Sequence, residues 1–153
     1  MSDVQTIWDT LNARGDWAMS GPSLASGNDL YTAVLISLFT DRVAHPTDVI
    51  PDGTTNPRGW WGDNQIDGSV DPIGSRLWLL DRSKAPTTQV LNQAVDYCKE
   101  ALQWMLDDGV AANINVQASW NAPNYLALVV TISQTNDTTP KPFKFDLLWQ
   151  EIV

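Results

Sequence analysis

Residues 112–133 read ANINVQASWNAPNYLALVVTIS, and this stretch decides the fold. Residues 112–120, ANINVQASW, alternate with period two, the spacing of a strand with one covered face. Ala122-Pro123-Asn124 turns the chain. Residues 125–133, YLALVVTIS, are rich in β-branched side chains, which suit a pleated surface. After a polar loop, QTNDTTPKP, residues 143–153 (FKFDLLWQEIV) read as a last strand that runs to the end of the chain. Three successive strands of this kind make an antiparallel meander, with the last strand expected at an edge open to strand addition.

The period is different upstream. From a cap at Thr87 or Thr88 to about Asp108, Leu91, Ala94, Val95, Cys98, Ala101, Leu102 and Met105 form one apolar stripe. Asn92, Asp96, Lys99, Glu100 and Gln103 form a solvated opposite face, and Gly109 stops the helix as a left-handed cap. Residues 29–44, DLYTAVLISLFTDRVA, predict an earlier helix that starts at Asn28 or Asp29 and ends before Pro46. Its apolar residues cover more than half the circumference, so it is expected to be buried on more than one side. Residues 4–8 (VQTIW) and 14–20 (RGDWAMS) predict a hairpin, with Asn12 and Gly15 as turn chemistry, followed by a loop, GPSLASGND. SRLWLLDR (75–82) is either one or two turns of helix or a buried strand, with helix preferred. The expected fold is α+β: a mostly antiparallel sheet with two long helices, in the order ββ-α-loop-α-βββ, as one domain over residues 1–153.

Composition excludes several function classes. The formal net charge is −9, which repels nucleic-acid backbones and anionic membranes, and no Lys/Arg cluster overrules it locally. No apolar run approaches the length of a membrane span, and the first residues carry no export signal, so folding in the cytoplasm is expected. A single cysteine, Cys98, rules out an internal disulfide. With His45 as the lone histidine, a zinc site of the usual Cys/His kind within one chain is excluded. Neither a metal nor a cofactor is expected.

Residues 45–74 hold four of the nine prolines and five of the nine glycines, which makes them a long loop. Loops of that length inside a domain are generally functional or disordered, and the apolar content here argues against disorder. At its centre stands NPRGWWGDN (56–64). The chain has eight tryptophans. Two of them adjacent in a glycine-flanked loop, with Arg58 and Arg76 near, have the composition of an interface hot spot. Neighbours in extended chain point to opposite sides, so one tryptophan is expected to anchor inward and the other to face a partner.

Catalytic readings are weaker. DNQIDGSVDPIG (63–74) echoes a calcium loop, with Asp63, Gln65, Asp67, Ser69 and Asp71 at alternate positions. Yet the closing bidentate Glu is replaced by Gly74 and the third position is Gln65. Asp52, Asp63, Asp67 and Asp71 with Trp60 and Trp61 as stacking platforms would suit a sugar site, but no spacing specifies a glycosidase pair. Glu100 falls on a solvated helix face. His45 reads as a histidine at a helix C-terminus, and the Gly-x-Ser-x-Gly and phosphate-loop motifs are absent.

LISLFTDRVA, IPDG, NPRGWWGD, GSRLWLLDRSK and YCKEALQWMLDDGVA resemble, in order and over nearly the whole chain, the phage Mu-type baseplate wedge protein family. This family is the Mu-like counterpart of the small sheath-initiating wedge protein of contractile-tailed phages. The resemblance implies a structural virion protein of the tail baseplate, not an enzyme, assembled in the host cytoplasm. It implies six copies around the tail tube, with larger baseplate wedge proteins and the tail sheath protein as partners, and some relatives engage the first sheath ring by strand addition. Arg58, Trp60, Trp61, Asp63, Arg76 and Trp78 fall inside the matching blocks and are the expected partner-binding residues. One departure stands out. The wider family often has a Glu-Pro-Arg triplet after its second long helix, where this chain has Asp107-Asp108-Gly109-Val110, so that contact does not carry over. A lysozyme-like label in some members of the wider family leaves a tail-associated glycan hydrolase as the alternative. A regulatory module with a soluble host target is a third reading, since fold does not dictate function.

Overall fold

The computed structural model describes residues 4–12, 14–20, 23–24, 29–63, 72–80, 86–121, 125–137 and 139–148. Among these, four short strands precede the first helix: β1 (Thr6–Asp9), β2 (Arg14–Trp17), β3 (Met19–Ser20) and β4 (Ser23–Leu24). Helix α1 (Asp29–Phe39) follows, then two 3-10 turns at Trp61–Asp63 and Arg76–Leu79. Helix α2 (Thr88–Asp107) leads into β5 (Ala111–Asn121), β6 (Tyr125–Gln134) and β7 (Lys141–Leu148). The α+β class and the meander are as expected, with strand order β5-β6-β7 and both pairs antiparallel.

The core lies between α2 and one face of this sheet. Ala94, Cys98, Ala101, Leu102 and Met105 of α2 meet Leu126, Leu128, Val130 and Ile132 of β6 and Phe145 and Leu147 of β7, all buried in one cluster. Full burial of each large aliphatic side chain contributes roughly 1.5–3 kcal/mol, so this layer dominates the apolar stabilisation. Alternation along β5 breaks once. Ala111 pairs with Gln134 and Asn113 with Ser133, so Ala112 is an extra residue. This bulge turns Ala112 and Asn113 both outward and lets Ala111 and Ile114 both face the core side. At the α2 ends, the Thr87 hydroxyl accepts from the Val90 N–H at 3.3 Å, and Gly109 takes the left-handed conformation at φ 73°.

Helix α1 is shorter than its apolar run predicts. It stops at Phe39, well before Pro46, because the next residues bond elsewhere. The Ser75 N–H donates to the Thr40 carbonyl at 2.9 Å, and the Arg42 N–H donates to the Ser75 carbonyl at 3.0 Å. The Ser75 hydroxyl donates to the Leu38 carbonyl, one of the acceptors a helix end leaves open. Gly74 makes the approach possible: at φ 97°, a Cβ there would lie 2.2 Å from the Thr40 carbonyl oxygen. His45 therefore lies beyond the helix and is not its cap.

The N-terminal hairpin forms, with Asn12 in its turn as expected and Gly15 outside it. Gly15 sits inside β2, paired with Trp8. The turn is built instead by Asp9, whose carboxylate accepts from the Leu11 and Asn12 backbone N–H groups at 3.0 and 3.2 Å. Part of the expected loop after it pairs as the small β3-β4 ladder. Trp8 stacks on Phe39 with ring centroids 3.9 Å apart, and its indole N–H donates to the Asp146 carbonyl of β7 at 3.4 Å. β7 is an edge of the sheet, as expected, and the hairpin touches it through the Trp8 indole. Residues 149–153 of the expected last strand lie outside the described residues.

Cys98 is fully buried on the α2 stripe, and burial pushes its thiol up to about 12. It is expected to resist a soluble disulfide reagent at pH 8 and to react in one step on denaturation. Rapid labelling of the native protein would show that the α2–sheet layer opens locally.

Candidate functional site

The 40–63 segment has almost no regular structure, yet it is densely bonded. Asp52 Oδ1 accepts from the Thr54 N–H at 3.0 Å, Thr54 Oγ1 accepts from the Asn56 N–H at 3.3 Å, and Asn56 Oδ1 accepts from the Arg58 N–H at 3.0 Å. These steps of side chain to backbone replace a ladder. The Ala44 N–H donates to the Pro57 carbonyl at 2.9 Å, which folds the loop back on its own start. Arg58 adopts φ 53°, a conformation uncommon outside glycine.

Two groups of the expected residues emerge. In one, the Arg58 guanidinium stands 4.5 Å from the centroid of the Trp78 ring and reaches Asp41 at 2.9 Å and Asp52 at 3.7 Å. The Trp78 indole N–H donates to the Arg42 carbonyl at 2.8 Å, so this tryptophan is a strut. Beside it, the Trp60 and Trp61 rings stand 5.2 Å apart at 45°. Trp60 is half-buried and folds over Gly62, where a Cβ would lie 2.1 Å from its ring. Trp61 is 83% exposed. The split between an inward and an outward tryptophan is therefore present, with Trp61 as the outward member. Asp63 accepts the Ile73 N–H at 3.1 Å through Oδ1, tying the loop to residues 72–74, while its Oδ2 is buried with no hydrogen-bond partner.

Arg76 stands apart from these tryptophans. Its Nε donates to Glu100 Oε2 at 2.9 Å and its Nη1 to both Asp48 oxygens at 3.1 and 2.9 Å. The guanidinium also lies 4.8 Å from the centre of the Tyr97 ring. The Arg76 side chain is only 16% exposed. Burial alone would raise Asp48, but its hydrogen bonds from Arg76 and the His45 N–H, with the Arg76 charge, outweigh that and hold its carboxyl below the ordinary value of 3.8. Glu100 is therefore not a solvated-face residue. It fixes Arg76 and lies 3.8 Å from the His45 imidazole. Nothing in the helical pattern marks Glu100 except its place one turn from the half-buried Tyr97, which shares its face.

Of the calcium-loop candidates, Gln65, Asp67, Ser69 and Asp71 lie outside the described residues. Among the described residues, no group of three His, Cys, Asp or Glu side chains is placed to hold a metal ion, and no helix is long and apolar enough to cross a membrane.

An α+β fold carrying a bonded loop with an outward tryptophan coincides here with a shared sequence pattern. The chain belongs to the Mu-type phage baseplate protein family. The family model described as Phage protein GP46 matches residues 30–139. Baseplate protein gp46 of Escherichia phage Mu is 43% identical over 145 residues, covering 95% of each chain. The Mu-like prophage FluMu protein gp46 of Haemophilus influenzae is 36% identical over 139 residues, covering 91% of this chain and 92% of its own.

Replacing Arg76 by alanine leaves two carboxylates facing each other in a partly buried site, and is expected to cost roughly 2–4 kcal/mol in chemical denaturation. Because Asp48 is depressed in the folded state, its contribution is complete above the ordinary carboxyl value and is lost as pH falls through the folded one. The wild type should therefore lose stability below about pH 4, and Asp48→Asn should flatten that limb. An unchanged acid limb in Asp48→Asn would remove this cluster as a stabilising element.

Proposed function

We propose that this chain is a structural protein of the contractile tail baseplate wedge. In this reading it acts as one domain, in six copies around the tail tube, binding larger wedge proteins and helping to initiate the tail sheath. The observation that carries the reading is Trp61. A tryptophan so exposed in a loop that is otherwise tightly bonded leaves a large apolar surface uncompensated, which is the mark of an interface anchor. Arg58, Trp60, Asp63 and Trp78 hold the loop that presents it, and Arg76 holds the layer beneath.

Of the aspartates that would suit a sugar site, Asp52 speaks for a binding role over hydrolysis. A glycosidase general acid needs a raised pKa. Asp52, in the loop, is instead held low by its hydrogen bonds from Thr54 and by Arg58, and Asp48 is held low as well. No observation favours the glycan hydrolase, so the reading is of a protein that is not an enzyme.

For sheath initiation, β5 offers the better edge. Its eleven residues, AANINVQASWN, include no charge and no proline. β7 carries Pro142, Lys141 and Lys144, devices that discourage pairing, with Trp8 against it.

Co-expression with the products of neighbouring baseplate genes tests the first claim. Trp61→Ala is expected to remain folded by circular dichroism and to weaken the complex by about thirtyfold or more, the scale of a hot-spot loss near 2 kcal/mol. A complex of undiminished affinity would return Trp61 to a merely tolerated surface residue. The second claim separates cleanly. Asn115→Lys with Gln117→Lys on β5 should leave wedge complexes intact and lower the yield of sheathed tails, whereas a normal yield would move strand addition away from this edge.

A further inference from the structure

The apolar circumference of α1 predicts burial on more than one side, and the structure covers only part of it. Ile36 is 47% exposed in the middle of the helix. It projects into a groove of about 810 Å³ walled by α1, α2 and residues 72–74. Ala33, Ile36, Ile73 and Trp104 supply the apolar lining. The Trp104 indole N–H donates to Ser37 Oγ at 3.0 Å, so the polar group of this ring is already satisfied.

One end of the groove is electrostatically unfavourable as it stands. Helix α2 ends in Asp107 and Asp108, where the helix dipole favours cations, and its last turn holds no basic residue. Both carboxylates line the groove. Asp107 accepts from Gln103 at 3.0 Å, and among the described residues no Lys or Arg forms an ion pair with either carboxylate. The cations that face the groove, Arg42 and Lys99, belong with the far end, where the residues after α1 are tied through Ser75 and Arg76 to Glu100.

From this we infer that the groove between α1 and α2 receives a helix from another baseplate protein, with large apolar side chains on one face and Lys or Arg where it meets Asp107 and Asp108. The groove's long walls are helical, so their backbone groups are already paired. An extended segment laid there would bury its own N–H and C=O groups unmet, whereas a helix satisfies them internally. A second copy of this chain does not fit: α1 has no Lys or Arg, and the one cation of α2, Lys99, lies in mid-helix. The inference rests on the baseplate reading for the source of the partner, and on the groove alone for its chemistry.

Two measurements decide it independently. In the first, the isolated chain is titrated with a fluorescent amphipathic Leu/Lys peptide of about five helical turns, and with the same peptide carrying Glu for Lys. The Lys peptide should bind at least about tenfold tighter, and D107N with D108N should weaken it about tenfold. Ile36→Asp, a change at an exposed position, should weaken it as well. Equal binding of both peptides, or indifference to all these substitutions, overturns the proposal. In the second, Ile36→Cys is labelled with a maleimide photo-cross-linker, which the buried Cys98 does not compete for, and is assembled with the neighbouring baseplate proteins. Leu11→Cys, on the exposed hairpin turn, is the control site. A cross-link from position 36 alone to a basic, apolar helical segment supports the inference. A cross-link to another copy of this chain, or none in an assembled complex, refutes it. Failure of any complex to assemble counts against the baseplate reading, and the peptide titration still decides the groove.

Discussion

A guanidinium between two carboxylates from different parts of the chain is the contact on which the rest depends. Arg76 grips Asp48 of the long loop and Glu100 of α2, and its neighbour Ser75 closes the end of α1. Two consecutive residues thus join the long loop, α1 and α2. Charges this shielded from water are costly to bring together and more costly to leave unpaired, so the cluster favours one arrangement of the loop over all others. The tryptophan loop then needs only short local bonds to keep its shape, because its base is already located.

The layer of α2 on the meander was legible in the sequence because both elements show clean periodicity and conventional ends. Thr87 is the cap of the two threonines offered, Gly109 is left-handed as expected, and the alternation holds from Asn113 onward, after the bulge at Ala112. The errors share a cause. The end of α1, the place of His45 and the role of Glu100 are all set by Ser75 and Arg76, which lie more than twenty residues away from each. Local pattern carries no record of a partner at that distance. The hairpin turn is a smaller case: Asn12 lies in it as expected, but Gly15 is paired inside β2 and the Asp9 carboxylate bonds the turn.

For the candidate site, the sequence pointed to one inward and one outward tryptophan, and Trp60 and Trp61 take those positions. It did not separate residues that present the surface from residues that support it. Trp78 and Trp61 are alike in sequence and opposite in use, one anchored by its indole N–H and stacked under Arg58, the other bare. That distinction rests on where the chain folds back, which Gly59 and Gly62 permit by admitting Val43 and the Trp60 ring at distances no Cβ would tolerate easily. The acidic composition takes on a local meaning as well. Asp41 and Asp48 are paired with Arg58 and Arg76, while among the described residues Asp107 and Asp108 have no cation.

The indole of Trp8 on the Asp146 carbonyl has a consequence for growth. A three-stranded sheet ordinarily has two equivalent ends at which further strands might add. Here one edge strand, β7, meets the chain's own hairpin through Trp8, which stacks on Phe39, while along β5 no further strand pairs among the described residues. The two edges therefore differ: a strand laid along β7 would have to pass the Trp8 indole at Asp146, and one laid along β5 would not.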